Sequence, residues 1–172
     1  MTNAASRAFT AAACLALLAC LTGCGLRPMY AGGSSGAVAQ GLAQVEVPAI
    51  EGREGWLVRN ALLDRLGQSA GAGTTGRYRL DVLLDDQLEG LGLLTDDTIG
   101  RERRTLRARY QLVDTTDGTI VVDATAGSDA GIDVVSSEYA TIAAEQTALE
   151  NLAQQVADRI VTRLALTLSD RP

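Results

Sequence analysis

The sequence predicts an α+β fold, a two-layer α/β sandwich in the order β-α-β-β-β-α, with two helices packed on one face of a four-stranded mixed sheet. Three observations predict it. Period-two alternation recurs in three runs between residues 77 and 126. A long stretch of helical period runs from about 136 to 168. A shorter helical stretch at 54–66 follows a strand-like segment at 45–50.

Residues 45–50 (VEVPAI) alternate apolar and polar and then meet Pro48. Proline donates no ladder hydrogen bond, so this fits a short edge strand. In residues 54–66, Val58, Leu62 and Leu66 form an i, i+4, i+8 row with Leu63 beside it, and Gly67 is placed to stop the helix. Residues 67–76 are rich in Gly, Ser and Thr and read as a loop. Tyr78, Leu80, Val82 and Leu84 then alternate with Arg77, Arg79 and Asp81, the pattern of a half-buried strand. Residues 85–98, with Asp85-Asp86 and Asp96-Asp97 around Gly and Leu, read as a loop or an irregular strand extension, the acidic pairs as turn residues. A second alternating run at 101–113 sets Leu106, Ala108, Tyr110 and Leu112 on one face. Thr115-Thr116-Asp117-Gly118 predicts a hairpin turn, and a third run follows with Ile120, Val122, Ala124 and Ala126 on one face. Residues 127–135 read as a loop. Ser136 or Ser137 is placed to cap the last helix, along which Leu149, Leu152, Val156, Ile160 and Leu164 recur at spacings of three and four. The sandwich therefore spans 45–168, with a short tail at 169–172, and one sheet face is left open.

The N-terminal segment has a different logic. Arg7 precedes an apolar run at 8–21, which ends in Leu21-Thr22-Gly23-Cys24. A basic flank, a short apolar run and small residues before the end describe a secretion signal that is removed. The run falls short of the roughly 20 apolar residues that a spanning helix needs. The last four residues match a bacterial lipobox, whose Cys thiol takes a diacylglyceryl group. Residues 1–23 are therefore expected to leave. Cys24 becomes the lipidated first residue, carrying N-acyl and S-diacylglycerol lipid, and residues 24–44 form a flexible tether. Cys14 and Cys20 leave with the signal, so no disulfide is expected. Gly25, in the place where an Asp retains many lipoproteins at the inner membrane, favours the outer membrane. Several acyl chains at about 0.8 kcal/mol per buried methylene anchor a protein firmly.

Without residues 1–23 the chain has 149 residues, enough for one domain, with 14 Arg against 21 acidic residues and a net charge of −7. That acidity argues against non-specific nucleic-acid binding. There is neither Lys nor His, which excludes imidazole acid–base work and Ser-His-Asp chemistry. The acidic pairs lack the spacing and terminal Glu of a calcium loop. Ser136 and Ser137 have no base beside them, and Gly71, Gly73 and Gly76 are followed by no phosphate-loop Lys. No catalytic constellation, metal site or further cofactor is expected, and the chain is read as a non-enzyme. Trp56, the only Trp, reads as a core or rim anchor.

One feature points to a ligand. Arg101, Arg103, Arg107 and Arg109 stand at outward positions of the 101–113 run with Thr105, while Arg104 falls on the opposite face. Arg77 and Arg79 share the outward phase. Guanidinium forks bind phosphates and carboxylates bidentately, so a phosphorylated, carboxylate-bearing glycolipid is a fitting ligand. The alternatives are a solvated face balanced by Asp81, Glu102 and Asp123, and docking to an acidic protein surface.

Taken in order along the chain, Cys24-Gly25-Leu26-Arg27-Pro28-Met29-Tyr30, the 45–50 strand, the 56–66 helix, the arginine strand running into Ala108-Arg109-Tyr110-Gln111-Leu112-Val113-Asp114, Asp117-Gly118, Ser137-Glu138-Tyr139-Ala140 and Ala157-Asp158-Arg159-Ile160 resemble the LptE family of lipopolysaccharide-assembly lipoproteins, in its alphaproteobacterial form. The resemblance implies two helices on a four-stranded sheet, a place inside the large outer-membrane β-barrel LptD as plug and assembly factor, and contact with lipopolysaccharide on its way to the outer leaflet. A periplasmic adaptor lipoprotein of another envelope complex, without lipopolysaccharide binding, is the alternative.

Overall fold

A computed structural model describes residues 36–67, 76–93 and 99–169. The element order is α1 (Ala37–Ala43), β1 (Val45–Glu46), α2 (Gly52–Arg65), β2 (Tyr78–Leu93), β3 (Ile99–Asp114), β4 (Ile120–Asp133) and α3 (Glu138–Ser169). The strands form one sheet in the order β1-β2-β3-β4, with β1 parallel to β2 and the other pairs antiparallel. This is the predicted α+β sandwich with its mixed sheet, and one sheet face is open.

Four expectations need correction. Residues 37–43, expected to be tether, form α1, and Leu42 reaches the core. The segment is about two turns of helix interrupted by Gly41, too brief to show a period. Gly41 lies against Leu168 at the end of α3. Of the two readings of 85–98 the strand extension holds as far as Leu93, which corrects the acidic pair: Asp85 and Asp86 are strand residues rather than turn residues. The loop expected at 127–135 is strand as far as Asp133, because β3 offers a ladder partner to every residue through Arg101↔Asp133. Finally, an irregularity between Leu112 and Val113 pairs Val113 with Ile120, which carries Ile120 out of phase and into solvent. Asp96, Asp97 and most of the 67–76 loop lie outside the described residues.

The core sits between the sheet and the helices. Tyr78, Leu80, Leu106, Ala108, Tyr110, Leu112, Val122 and Ala126 are buried on the inner sheet face. Above them, the predicted row of Val58, Leu62 and Leu66 meets Leu149, Leu152, Val156, Ile160 and Leu164, all buried. The 32-residue α3, about 48 Å long at 1.5 Å per residue, lies on β3 and β4, while α2 packs beside it.

Local chemistry ends each element. β1 is only two residues long. Pro48 cannot extend it, and the Arg59 Nε donates to the Val47 and Pro48 carbonyls at 3.1 and 3.2 Å, drawing the chain away from the sheet edge. Where β1 crosses the start of β2, a Cβ on Gly76 would fall 2.0 Å from the Gln44 carbonyl oxygen, so only glycine fits. The β3–β4 turn is the predicted one. The Gly118 N–H donates to the Asp114 carbonyl at 2.9 Å, and the Asp114 carboxylate accepts the Thr116 N–H at 3.0 Å. That N–H, helped by the Arg77 guanidinium, holds the Asp114 carboxyl below the usual range.

Candidate functional site

β3 runs through the middle of the sheet and its side chains alternate between two environments. Its odd-numbered residues from Arg101 to Gln111 face away from the helices. Each stands between two neighbours: Arg101 between Leu91 and Asp133, Arg103 between Glu89 and Gly131, Arg107 between Asp85 and Gly127, Arg109 between Leu83 and Thr125. The four predicted arginines therefore do form one column on the open face, and all four are exposed. Carboxylates flank the column on both sides, Asp81, Asp85 and Glu89 on β2 and Asp123, Asp129 and Asp133 on β4.

The column is not uniform. Its ends are ion-paired. Arg109 reaches Asp123 at 3.1 Å, and Arg101 reaches Asp133 at 3.3 Å. Asp123 also accepts the Gln111 side-chain N–H at 2.9 Å. That bond, with the Arg109 charge, holds the Asp123 carboxyl below the usual range. The middle is uncommitted. Among the described residues, Arg103 and Arg107 make no ion pair and no side-chain hydrogen bond. They are four residues apart on one strand, roughly 13 Å. Glycine stands beside each on β4. A Cβ on Gly127 would come 3.2 Å from the Arg107 Cγ and press on its stem. Thr105, Arg107, Thr125 and Gly127 line a depression of about 250 Å³. On the other side of β3, Asp81, Leu83, Arg109 and Gln111 line a second of about 280 Å³. Chemically, this is a shallow open surface with two free guanidinium forks in its centre. It suits a ligand with separated anionic groups more than a small enclosed substrate.

Other predicted residues fall elsewhere. Arg79 is outward but bound to Asp81 at 3.0 Å. Arg77 leaves the column: it pairs with Asp114 at 3.1 Å and lies over the Tyr78 ring. Glu102, read as a counter-charge for the arginines, is on the helix side opposite buried Ile132, and its Oε2 is buried without a hydrogen-bond partner among the described residues. Trp56 is exposed and lines a groove between α2 and α3, a rim position rather than a core one. Cys24 lies outside the described residues. The loop expected at 127–135 conceals the acidic flank at Asp129 and Asp133. The signal was present: Asp123, Thr125, Gly127, Asp129, Gly131 and Asp133 keep the outward phase while Ala124, Ala126, Ala130 and Ile132 keep the inward one.

Comparison with known proteins bears on this surface. Residues 42–164 match the lipopolysaccharide-assembly family LptE. The chain belongs to this family. Membership implies a role in lipopolysaccharide assembly, as the resemblance read from sequence implied. A crystal structure of a protein from Caulobacter crescentus, described as a lipoprotein, is similar at 28% identity and a TM-score of 0.67, covering 80% of this chain and 98% of that one. Lipoprotein B from Nitrosomonas europaea (11% identity, TM-score 0.55, 73% and 82% covered) and a minor lipoprotein from Acinetobacter baumannii (16% identity, TM-score 0.51, 71% and 88% covered) share the fold. No curated protein matches the chain significantly.

Proposed function

We propose that this protein is an outer-membrane lipoprotein, held by lipid on Cys24, that plugs and helps assemble an LptD-type β-barrel and contacts lipopolysaccharide as it passes to the outer leaflet. The observation that carries the ligand half of this reading is the arginine column, set on the open face of a member of a lipopolysaccharide-assembly family. The lipobox and the similarity to the Caulobacter lipoprotein support the anchor.

The geometry divides the work. Among the described residues Arg103 and Arg107 hold no carboxylate, so an incoming phosphate or carboxylate meets free donors. Arg101 and Arg109 already hold Asp133 and Asp123 and must exchange one anion for another. The flanking carboxylates repel an anionic ligand elsewhere on the face and confine it to β3. The role requires no catalytic group and no cofactor beyond the covalent lipid.

The test is binding of purified full-length protein to lipopolysaccharide micelles, with Arg103→Ala/Arg107→Ala against Arg101→Ala/Arg109→Ala. The central pair is expected to weaken binding about tenfold or more, the outer pair less, each loss shrinking with added salt. Equal binding by all forms removes the arginines from the ligand site. Separately, mild detergent extraction is expected to bring down a large β-barrel. Recovery of a different envelope complex, with no lipopolysaccharide binding, would identify the chain as an adaptor instead.

A further inference from the structure

The two edges of the sheet are treated differently. At the β4 edge α3 caps one outward carbonyl, that of Gly127, to which Arg159 donates, and the Ser128 side chain on the helix side is hydrogen-bonded to Gln155 at 2.6 Å. Among the described residues, nothing pairs with the β2 edge for most of its length. β1 covers only Tyr78 and Arg79 before Pro48 and Arg59 take the chain away. The Tyr78 N–H points toward β1, where it donates to the Gln44 carbonyl at 3.1 Å. By alternation the N–H groups of Val82, Leu84, Asp86, Leu88 and Gly90 point the same way. The β2–β3 register is unbroken from Tyr78 to Leu91. Among the described residues, no strand pairs with this outer side of β2 beyond Arg79.

An exposed row of donors and acceptors is a template for strand addition. Its chemistry says what kind of strand. Residues 81–93 contain Asp81, Asp85, Asp86 and Glu89 and no basic residue. Across the open face the charge alternates strand by strand: acidic on β4, basic on β3, acidic on β2. The next column in that series is basic. On the helix side, Val82 and Leu84 are only half-buried and Leu88 is exposed, leaving apolar surface for the incoming strand's other face. A second copy of this chain pairing β2 to β2 would set carboxylate against carboxylate, which is destabilising.

We propose that the β2 edge from Val82 to Gly90 is a docking site for an extended segment of a partner protein in which Arg or Lys alternates with apolar residues. This surface is distinct from the arginine column, and the inference stands without the lipopolysaccharide reading.

The probe is a short fluorescein-labelled peptide of alternating Arg and Val, read by anisotropy against the full-length protein in detergent. Controls are a Glu/Val peptide and an Arg/Val peptide with alternate backbone nitrogens methylated. The Arg/Val peptide is expected to bind and both controls to fail. Leu88→Pro removes one outward N–H without touching the β2–β3 ladder, and is expected to cut affinity about tenfold while lipopolysaccharide binding is unchanged. Asp85→Asn/Glu89→Gln, a surface change that keeps the fold if the proline variant does not, is expected to weaken binding several-fold and flatten its salt dependence. No binding by the unmodified protein, equal binding by Leu88→Pro and by the neutralised form, or a dimer of this chain that Leu88→Pro dissolves would each overturn the proposal.

Discussion

Arg104 and Arg109 sit on the same strand, five residues apart, and each holds a carboxylate on a neighbouring strand. Arg104 faces the helices. Its pair with Asp86 leaves the two side chains 17% and 15% exposed, and its Nη1 also donates to the Glu145 carbonyl of α3 at 3.1 Å. Arg109 faces the open side, where its pair with Asp123 leaves them 65% and 41% exposed. Water screens the second pair and hardly reaches the first. The same two groups thus join β2, β3 and α3 on one face and remain exchangeable on the other. The difference comes from the pleat alone.

The two faces differ most at adjacent apolar and charged residues of β3. Leu106 is fully buried, and Arg107 beside it is exposed. Leu106→Ala is expected to cost about 3 kcal/mol, and Arg107→Ala less than about 0.5 kcal/mol, both measured by urea unfolding. A similar cost for both would mean that the two faces do not differ as described. Next is the buried pair itself. Arg104→Ala strands Asp86 and is expected to cost about 2–3 kcal/mol, below the usual figure for a fully buried pair because some water remains. The double change Arg104→Leu/Asp86→Leu is expected to recover most of that loss. A double variant no better than the single one would show that the pair contributes more than mutual compensation.

Asp86 also explains what could be seen from sequence and what could not. The three strands and both long helices were legible because their apolar residues repeat at the period of the structure they build, and the hairpin turn from its Asp117-Gly118 chemistry. The arginine column was legible for the same reason. Beyond Leu84 the inward phase meets Asp86, and the alternation looks broken. Only the register with β3, which brings Arg104 to within 2.5 Å of it, turns that carboxylate into an interior residue. That is a contact between residues 18 apart, and no local pattern carries it. The same limit hid Asp133 as the partner of Arg101, left Asp123 one of three candidate counter-charges, and let Arg103 and Arg107 look equivalent to the paired arginines. Alternation assigns a face. It does not say which of four arginines finds a carboxylate there, which depends on where β4 places Asp123 and Asp133. Ile120 shows the converse, where one irregularity at Leu112/Val113 reverses a face that the period alone would assign to the core.

The smallest expected effect lies on the open face. Asp123 is lowered first by the Gln111 amide and then by Arg109. A carboxyl whose folded pKa lies below its unfolded value of about 3.9 stabilises the fold above that pH and loses the contribution as pH falls through the folded value. Because Asp123 is solvated, the effect on global stability below about pH 4 is expected to be slight, and the residue-specific titration is the better measure. Carboxyl NMR should place the Asp123 midpoint below that of an ordinary aspartate. Gln111→Ala and Arg109→Ala are each expected to move it upward. Saturating lipopolysaccharide is expected to raise it as well, because a ligand anion that takes Arg109 takes it from Asp123. A midpoint that follows the two substitutions but ignores the ligand would keep Arg109 as a sheet residue and leave Arg103 and Arg107 as the contacts.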